Sequence, residues 1–282
     1  MKSSAPWGPI EKKLLELALK EDIGSGDITT YALFSKKDPK ARALLLAKEA
    51  FILAGLGMAQ AVFKKVNPKI QFKPLKKEGS QCEEGDEIAQ ILSPASSLLS
   101  AERTALNFLQ HLSGIATQTF LFVQSIQGTS AKILDTRKTL PAWRSLEKYA
   151  VKMGGGLNHR MGLDDAYLIK DNHLALYGSI TKAIEAVRKH HQKKKKIEVE
   201  VTNLKEFDEA LQAKPDWILL DNMGLDDMRM AVIQNRGRAI LEASGNINLH
   251  NVRSVAQTGV DFISIGALTH SAPAVDISLE IL

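Results

Sequence analysis

The sequence contains very little cysteine, and this excludes several classes of protein. Cys82 is the single cysteine among 282 residues, so the chain can form neither an internal disulfide framework nor a multi-cysteine metal site. No apolar run approaches the roughly 20 residues that a membrane-spanning helix needs. The first residues, "MKSSAPWGPIEKK", contain no uninterrupted apolar segment of the kind that directs export. We therefore expect a cytoplasmic protein with no membrane partner.

Two common motif classes are also missing. The seven histidines form no HxH or HExxH pair, so a histidine-bound zinc is not expected. The glycine run "GGG" at 154–156 has the wrong spacing and context for a dinucleotide-binding fingerprint. Structural roles are expected for four histidines that lie in helical or surface contexts without a partner motif, namely His111, His190, His191 and His250.

The bulk composition is that of a globular protein with a preference for anions. Apolar residues make up 44% of the chain and charged residues 24%, and the length allows one large domain or two smaller ones. The net charge is +5. Charge alone does not separate nucleic acid, acidic lipid and a small polyanion as the partner, so the position of the cations has to decide.

The first third of the chain indicates a small α+β unit. The pattern predicts an amphipathic helix over 11–22 and strands over 43–47, 70–74 and 87–92, with turns at Gly79 and Gly85. Ser96 and Ser97 are candidate N-caps of a long helix whose leucines recur at helical spacing. We expect this helix to be interrupted near Gly114.

From residue 131 onward, short apolar strands alternate with helical segments, which is typical of a parallel sheet. Six strands are predicted, ending at Asp135, Lys170, Glu200, Asp221, Ser244 and Gly266. Six strands fit either an incomplete α/β barrel or an open doubly wound sheet. The missing dinucleotide fingerprint favours the barrel, and in both folds the functional groups gather at the carboxyl ends of the strands.

A cationic cluster lies at these strand ends. Its members are Arg137, Lys138, Arg144, His159, Arg160 and Lys170. Arginine can grip a carboxylate or phosphate with two parallel hydrogen bonds, whereas lysine acts as a point charge. The cluster therefore predicts a small ligand with several negative charges. The run Lys193–Lys196 is interpreted as a solvated loop, although it is the best feature for a nucleic-acid-binding alternative.

Two carboxylates, Glu200 and Asp221, end neighbouring predicted strands. Two neighbouring carboxylates repel each other, and a bound divalent cation or a developing positive charge on a substrate would offset that repulsion. Salt bridges to Lys138 and Lys170 are the alternative. Glu198 should point to the same side of its strand as Glu200. Glu200 is the stronger candidate because it lies at the strand end, and one of the pair is expected only to line the barrel interior.

Two small-residue turns follow the last two predicted strands, "EASGN" at 242–246 and "SIGALTHS" at 264–271. Such turns present backbone N–H groups that bind phosphate, although many only connect a strand to a helix. Phosphate sites of barrels often use the last two such loops, so their pairing favours a phosphate site.

Together, these segments strongly resemble the quinolinate phosphoribosyltransferase family. The resemblance runs nearly end to end and rests on "EDIGSGDITT", "AERTALNFLQHLSGIAT", "DTRKTLPAWRSLEKYAVKMGGGLNHRMGLDDAYLIKDNH", "EVEV", "LLDNM", "EASGNI" and "GVDFISIGALTHS". It implies transfer of a phosphoribosyl group from 5-phosphoribosyl 1-diphosphate to quinolinate, with magnesium and with loss of carbon dioxide and diphosphate, giving nicotinate mononucleotide for NAD biosynthesis.

The resemblance also implies an α/β fold with an N-terminal α/β sandwich domain over 1–110 and an incomplete α/β barrel over 111–270. The tail of about 271–282 is a candidate to pack back on the first domain. The expected assembly is a homodimer, or a higher oligomer built from it, in which one subunit's first domain covers the partner's barrel. No nucleic acid is expected as a partner.

The resemblance assigns a role to each candidate residue. It places Arg103 in the partner subunit's site, Arg137, His159 and Arg160 on the two carboxylates of quinolinate, and Lys138 and Lys170 on the sugar diphosphate or the leaving carboxylate. Glu200 and Asp221 are implied to bind magnesium, directly or indirectly, and the ribose. The 5-phosphate is implied to lie among Ser244, Gly245, Asn246, Gly266 and His270.

One position departs from the family pattern. The family usually has two glycines after the serine, and this chain has Asn246 in place of the second. Asparagine tolerates left-handed backbone angles, so the loop can keep its shape with altered phosphate contacts. Two other enzyme functions stay open: a related phosphoribosyltransferase that acts on another base, and an aldolase that uses Lys170 to form a Schiff base.

Overall fold

The computed structural model describes residues 8–190 and 195–282. Within this part of the chain, no helix is long and apolar enough to cross a membrane. The chain divides into two compact units. The first contains the described residues up to Phe120 together with 139–155 and 271–282, and the second contains 121–138 and the described residues of 156–270.

The elements of the first unit, in chain order, are α1 (Pro9–Ile23), α2 (Ile28–Phe34), β1 (Lys40–Ala47), β2 (Phe51–Ile52), α3 (Leu56–Val66), β3 (Gln71–Pro74), β4 (Gln81–Cys82), β5 (Glu87–Pro94), α4 (Ala95–Ser125), α5 (Arg144–Met153) and β12 (Ile277–Ile281). The end of α4, from Leu121, falls in the second unit. The elements of the second unit are β6 (Lys132–Leu134), β7 (Tyr167–Ile169), α6 (Asp171–Tyr177), α7 (Ile180–His190), β8 (Ile197–Val201), α8 (Leu204–Ala213), β9 (Trp217–Asp221), α9 (Leu225–Asn235), β10 (Ile240–Ser244), α10 (Val252–Ala256), β11 (Phe262–Ser264) and α11 (Ala267–His270).

The first unit is built on an antiparallel sheet in the order β12-β1-β5-β3. Strands β1 and β5 bury several of their apolar side chains, among them Leu45 and Ile91. Helix α3 buries Val62 and Phe63, and the ring of Phe63 lies 6.0 Å from that of Phe72 on β3. The predicted helix and the three predicted strands of this region are confirmed as α1, β1, β3 and β5.

Two predictions for the long helix are wrong. Helix α4 begins at Ala95, so Ser96 and Ser97 lie within its first turn and are not N-caps, and it continues through Gly114 without interruption. Gly114 has a packing role instead, since a Cβ atom there would lie 1.9 Å from the carbonyl oxygen of Pro273. The glycine lets the backbone of the C-terminal segment cross the helix at close range.

The described residues of the second unit form six parallel strands in the order β6-β11-β10-β9-β8-β7. The first strand in sequence, β6, pairs with the last, β11, and the others follow in sequence order. This cyclic order belongs to a barrel, because a doubly wound sheet reverses direction at its centre. Among the described residues, no ladder joins β6 to β7, and on that side of β6 Leu134 forms an isolated parallel bridge with Leu157, which precedes β7 in the chain. The predicted incomplete barrel is confirmed.

Candidate active site

A pocket of about 610 Å³ opens at the carboxyl ends of the second unit's strands. Parallel strands end at the same edge of the sheet, so the groups that follow them converge there. The lining residues include most of the predicted site residues: Arg137, Lys138, His159, Arg160, Lys170, Glu200, Asp221, Ser244, Gly245, Asn246, Gly266 and His270. The pocket therefore gathers cations, carboxylates and small-residue turns around one space.

Two guanidinium groups lie together at this pocket. Burial and the positive charge of Arg137 lower the pKa of Arg160. The Nε atoms of Arg137 and Arg160 are buried without a hydrogen-bond partner among the described residues. Arg160 is held in place by a 3.0 Å hydrogen bond from its Nη1 to the carbonyl oxygen of Ala166. A bound anion would relieve the repulsion between the two cations, so this arrangement favours an anionic ligand.

The strand-end carboxylates have different partners. Glu200, which is buried, forms an ion pair with Lys170. Asp221 instead accepts a hydrogen bond from the side-chain amide of Asn222, at 2.8 Å. The salt-bridge alternative considered from the sequence therefore holds for Glu200 and Lys170, while the described residues give Asp221 an amide as its partner.

His159 lies above two further carboxylates on the barrel strands. Its Nε2 atom is 3.1 Å from Glu198 and 3.4 Å from Glu242. Its Nδ1 atom accepts a 2.7 Å hydrogen bond from the backbone N–H of Arg160. Because that N–H can only donate, this hydrogen bond requires an unprotonated Nδ1, with the proton on Nε2 donated to the carboxylates. Both ring nitrogens thus have partners within the protein.

Burial and the neighbouring carboxylates have opposite effects on the pKa of His159. Burial favours the neutral ring, but the hydrogen bonds and charges of Glu198 and Glu242 outweigh it and raise the pKa of His159 to about 10. Burial likewise raises the pKa of Glu198, against the hydrogen bond from His159. The surroundings of the two ring nitrogens therefore have opposite effects: the N–H of Arg160 favours an unprotonated Nδ1, whereas the carboxylates favour the positively charged ring.

The two predicted phosphate turns take up strained or tightly packed conformations. Gly245 has a φ of 94° and Asn246 a φ of 50°, so asparagine does occupy the left-handed region at the position where the family pattern has glycine. At the other turn, a Cβ atom on Gly266 would lie 2.9 Å from the Lys138 side chain. The hydroxyl of Thr269 donates to the carbonyl oxygen of Lys138 at 2.7 Å and so holds the backbone of Lys138 beside this turn.

Two candidates from the sequence do not line this pocket. Arg103 is exposed on α4 in the first unit, and Arg144 begins α5, also in the first unit. Of the basic run, Lys193 and Lys194 lie outside the described residues, whereas Lys196 sits over the ring of Trp217 with its Nζ atom 4.7 Å from the centroid.

Three acidic residues support the pocket although none of them was assigned a role as a site residue from the sequence. Asp135 is fully buried and accepts a 2.9 Å hydrogen bond from the backbone N–H of His159. Glu242 is fully buried on β10, and Glu198 was considered only as an alternative to Glu200. The available signal was an acid within an otherwise apolar barrel strand, since such a residue is rarely buried without a partner.

His111 also has a partner that the sequence did not reveal. Its Nε2 atom lies 3.1 Å from the buried Glu147, and its ring meets Trp143 edge-on at 5.2 Å. Glu147 in turn accepts from the backbone N–H of Leu140 at 3.2 Å. The structural role expected for His111 is thus to hold the segment 140–147 against α4.

Fold and pocket together define a class of protein, the α/β-barrel enzymes that bind small phosphorylated or carboxylated anions at the strand ends. Comparison with known proteins narrows this class. Residues 27–113 match the family model for the N-terminal domain of quinolinate phosphoribosyl transferase, and residues 115–280 match that for its C-terminal domain. The chain belongs to the quinolinate phosphoribosyltransferase family, as the sequence resemblance predicted.

Individual relatives cover almost the whole chain. A probable nicotinate-nucleotide pyrophosphorylase [carboxylating] from Synechocystis is 44% identical and spans 98% of this chain and 94% of the relative. The Mycobacterium leprae nicotinate-nucleotide pyrophosphorylase [carboxylating] is 42% identical, with 94% of each chain covered. Among solved structures, the nicotinate-nucleotide pyrophosphorylase of Francisella tularensis superposes with a TM-score of 0.93 at 43% identity, covering 97% of this chain and 96% of the other.

Proposed function

We propose that this chain transfers the phosphoribosyl group of 5-phosphoribosyl 1-diphosphate to quinolinate, with decarboxylation to nicotinate mononucleotide. The observation that carries the proposal is the meeting of Arg137, Arg160, Lys138 and Lys170 with Glu200 and Asp221 in one strand-end pocket. A dicarboxylate and a sugar diphosphate together match this mixture of charges. Relatives of about 40% identity and almost equal length carry names for this activity.

In this proposal, the base and the sugar diphosphate use different parts of the pocket. The guanidinium groups of Arg137 and Arg160 bind the quinolinate carboxylates, since their Nε atoms have no partner among the described residues. Direct contact of His159 with a carboxylate stays a prediction, because its ring nitrogens already hold Arg160, Glu198 and Glu242. The 5-phosphate lies among Ser244, Gly245, Asn246, Gly266 and His270.

The remaining groups stabilise charge during the transfer. Departure of diphosphate leaves positive charge at the anomeric carbon, which Glu200 and Asp221 stabilise, while Lys138 and Lys170 neutralise the leaving group. Once the ring nitrogen is glycosylated and cationic, it stabilises the electron pair left on C2 by the departing 2-carboxylate, and C2 then takes up a proton from solvent. No organic cofactor is needed for this step.

Magnesium is the cofactor that we infer for the sugar diphosphate. The donor set fits, since Mg²⁺ is usually bound by one or two carboxylates together with substrate phosphates, and Glu200 and Asp221 both line the pocket. When bound, the cation would neutralise the diphosphate as a leaving group. The ion pair of Glu200 with Lys170 indicates that Asp221 is the better placed of the two to bind the cation.

We further propose a homodimer in which Arg103 of one subunit completes the partner's site. Arg103 is exposed on α4. Ser100 on the same helix donates a 3.1 Å hydrogen bond to Asp27, the N-cap of α2, and α2 exposes three large apolar side chains, with Ile28 at 81%, Tyr31 at 74% and Leu33 at 68% exposure. An apolar group of this kind on a folded protein is typical of a surface that a partner covers.

Incubation of the purified protein with quinolinate, 5-phosphoribosyl 1-diphosphate and Mg²⁺ tests the proposal. We expect nicotinate mononucleotide and release of carbon dioxide from the 2-carboxylate, which isotopic labelling of that carbon would follow. Absence of product over a range of pH and metal concentrations would contradict it. Parallel reactions with nicotinate address the alternative of another base, because a pocket with two engaged arginines should discriminate strongly against a substrate that lacks one carboxylate.

A further inference from the structure

The side chains of Asn222 and Asn246 connect two functional loops of the pocket. Asn246 donates from Nδ2 to Oδ1 of Asn222 at 2.9 Å, and Asn222 donates from Nδ2 to Oδ2 of Asp221 at 2.8 Å. The amide of Asn222 thus accepts at one end and donates at the other. A continuous chain of hydrogen bonds runs from the turn after β10 to the carboxylate at the end of β9.

The backbone supports the same connection. Asp221 and Ser244 are register partners at the ends of β9 and β10, and the N–H of Asn222 donates to the carbonyl oxygen of Ser244 at 2.9 Å. Both asparagines adopt left-handed backbone angles, with φ of 54° at Asn222 and 50° at Asn246. Asparagine is among the few residues other than glycine that occupy this region readily.

Gly245 makes room for the amide of Asn222. A Cβ atom at position 245 would lie 2.2 Å from Oδ1 of Asn222 and 2.4 Å from its Cγ. Its φ of 94° also disfavours any side chain. The glycine therefore allows the Asn222 side chain to cross the turn and reach both neighbours.

The direction of the hydrogen bonds fixes the orientation of the Asn222 amide. A carboxylate only accepts hydrogen bonds, so the NH₂ end of Asn222 must face Asp221, and the carbonyl end then needs a donor. Asn246 supplies that donor. Glycine at position 246 would permit the same backbone angle but would remove this donor, so that of these two side-chain hydrogen bonds only the one to Asp221 would still orient the amide.

We propose that Asn222 is a positioning residue that couples the turn 244–246 to the Asp221 carboxylate, and that Asn246 locks it in the coupling orientation. The inference rests on the proposed function, in which the turn binds the 5-phosphate and Asp221 binds the divalent cation. Binding of the 5-phosphate to the turn then favours the orientation of Asp221 that binds the cation. Binding of the cation likewise favours the conformation of the turn that binds the phosphate. Mg²⁺ should consequently tighten the binding of 5-phosphoribosyl 1-diphosphate, and by linkage the reverse holds to the same extent.

Two variants remove the amides while keeping the backbone. Asn246→Gly and Asn222→Gly place at each position the residue that most readily adopts a positive φ, so both variants should fold. Asn248→Ser is the matched control, because Asn248 lies in the following turn and is not among the residues that line the pocket. Circular dichroism and thermal melting establish that all three variants are folded.

Calorimetric titration with 5-phosphoribosyl 1-diphosphate, with and without Mg²⁺ and without quinolinate, measures the coupling apart from turnover. We expect the factor by which Mg²⁺ tightens binding to fall by about fivefold or more in each glycine variant, to fall no further in the double variant, and to be unchanged in Asn248→Ser. A Mg²⁺ effect within twofold of wild type in both glycine variants, or no Mg²⁺ effect in the wild type, would overturn the inference. A wild type that binds the sugar diphosphate but forms no nicotinate mononucleotide would contradict the proposed function alone.

Discussion

The Nε2 atom of His159 lies 3.1 Å from the carboxylate of Glu198, and both side chains are almost completely buried. Removal of this donor by His159→Ala would leave Glu198 and Glu242 facing each other without compensation. We expect the free energy of unfolding to fall by about 3 kcal/mol, as for other broken buried pairs. Urea denaturation at neutral pH measures it, with the exposed His250→Ala as control. Equal stability of the two variants would show that the carboxylates do not depend on His159.

Replacement of either pocket arginine by lysine tests the proposed two-point grip on carboxylates. Arg137→Lys and Arg160→Lys keep the charge but lose the planar fork, so we expect kcat/KM for quinolinate to fall roughly 10- to 100-fold, equivalent to about 1.5–3 kcal/mol. The solvent-exposed Arg229→Lys should behave as wild type, since its ion pair with Asp226 lies on the surface. If all three variants retain wild-type kinetics, the guanidinium groups do not bind the substrate.

Gly114 should tolerate no side chain. Its position against the carbonyl oxygen of Pro273 leads us to expect that Gly114→Ala destabilises the protein by about 3 kcal/mol and lowers Tm by roughly 5 °C or more. Gly224→Ala is the comparison, because a Cβ atom there meets nothing within 4 Å. It should lose at most about 1 kcal/mol, through its N-cap position. Calorimetric melting of the two variants distinguishes a close backbone approach from a general effect of replacing glycine.

Cys82 should be chemically silent in the folded protein. The side chain is fully buried, and burial raises the pKa of its thiol to about 11. Since the thiolate is the reactive form, a thiol reagent at about pH 8 should modify the native protein far more slowly than the urea-unfolded protein. The unfolded chain serves as the internal control. Equally fast labelling of both states would mean that the thiol is accessible without unfolding.

Mixed subunits test the proposed dimer. Arg103→Ala and Lys138→Ala should each be nearly inactive alone, because each removes one contributor to a shared site. After unfolding together and refolding, about half of the dimers should contain both variant chains, with one intact site each. We therefore expect activity of about one quarter of wild type per site. Mixed dimers verified by tag affinity but without activity would indicate that Arg103 and Lys138 act in the same chain's site.

The barrel was predictable because its signals are local and repeat. Of the six predicted strand ends, Asp221 and Ser244 are confirmed to the residue, and the other four differ by one or two residues. Apolar runs ending in polar residues or glycine recur along the second unit, so even the carboxyl-end pocket followed from the pattern. The resemblance to a family added the roles of individual residues.

The relationships that escaped prediction are those between distant positions. The partners of His159 lie 39 residues away at Glu198 and 83 residues away at Glu242, and no local pattern pairs a histidine with those two acids. Gly114 was interpreted as a helix interruption because its reason for being small, Pro273, comes from the far end of the chain. Propensity describes what a segment prefers, whereas packing against distant residues decides the outcome.

Because β1 pairs with β12, the first sheet can be completed only after all the barrel strands have been synthesised. Ala43 is the register partner of Ile281 and Ala47 of Ile277, so one edge of β1 stays open until residues 277–281 have emerged. All six barrel strands are translated in between. The barrel strands can therefore pair while the first sheet still lacks its outer strand, and during that interval the nascent chain exposes a strand edge that could pair with another chain.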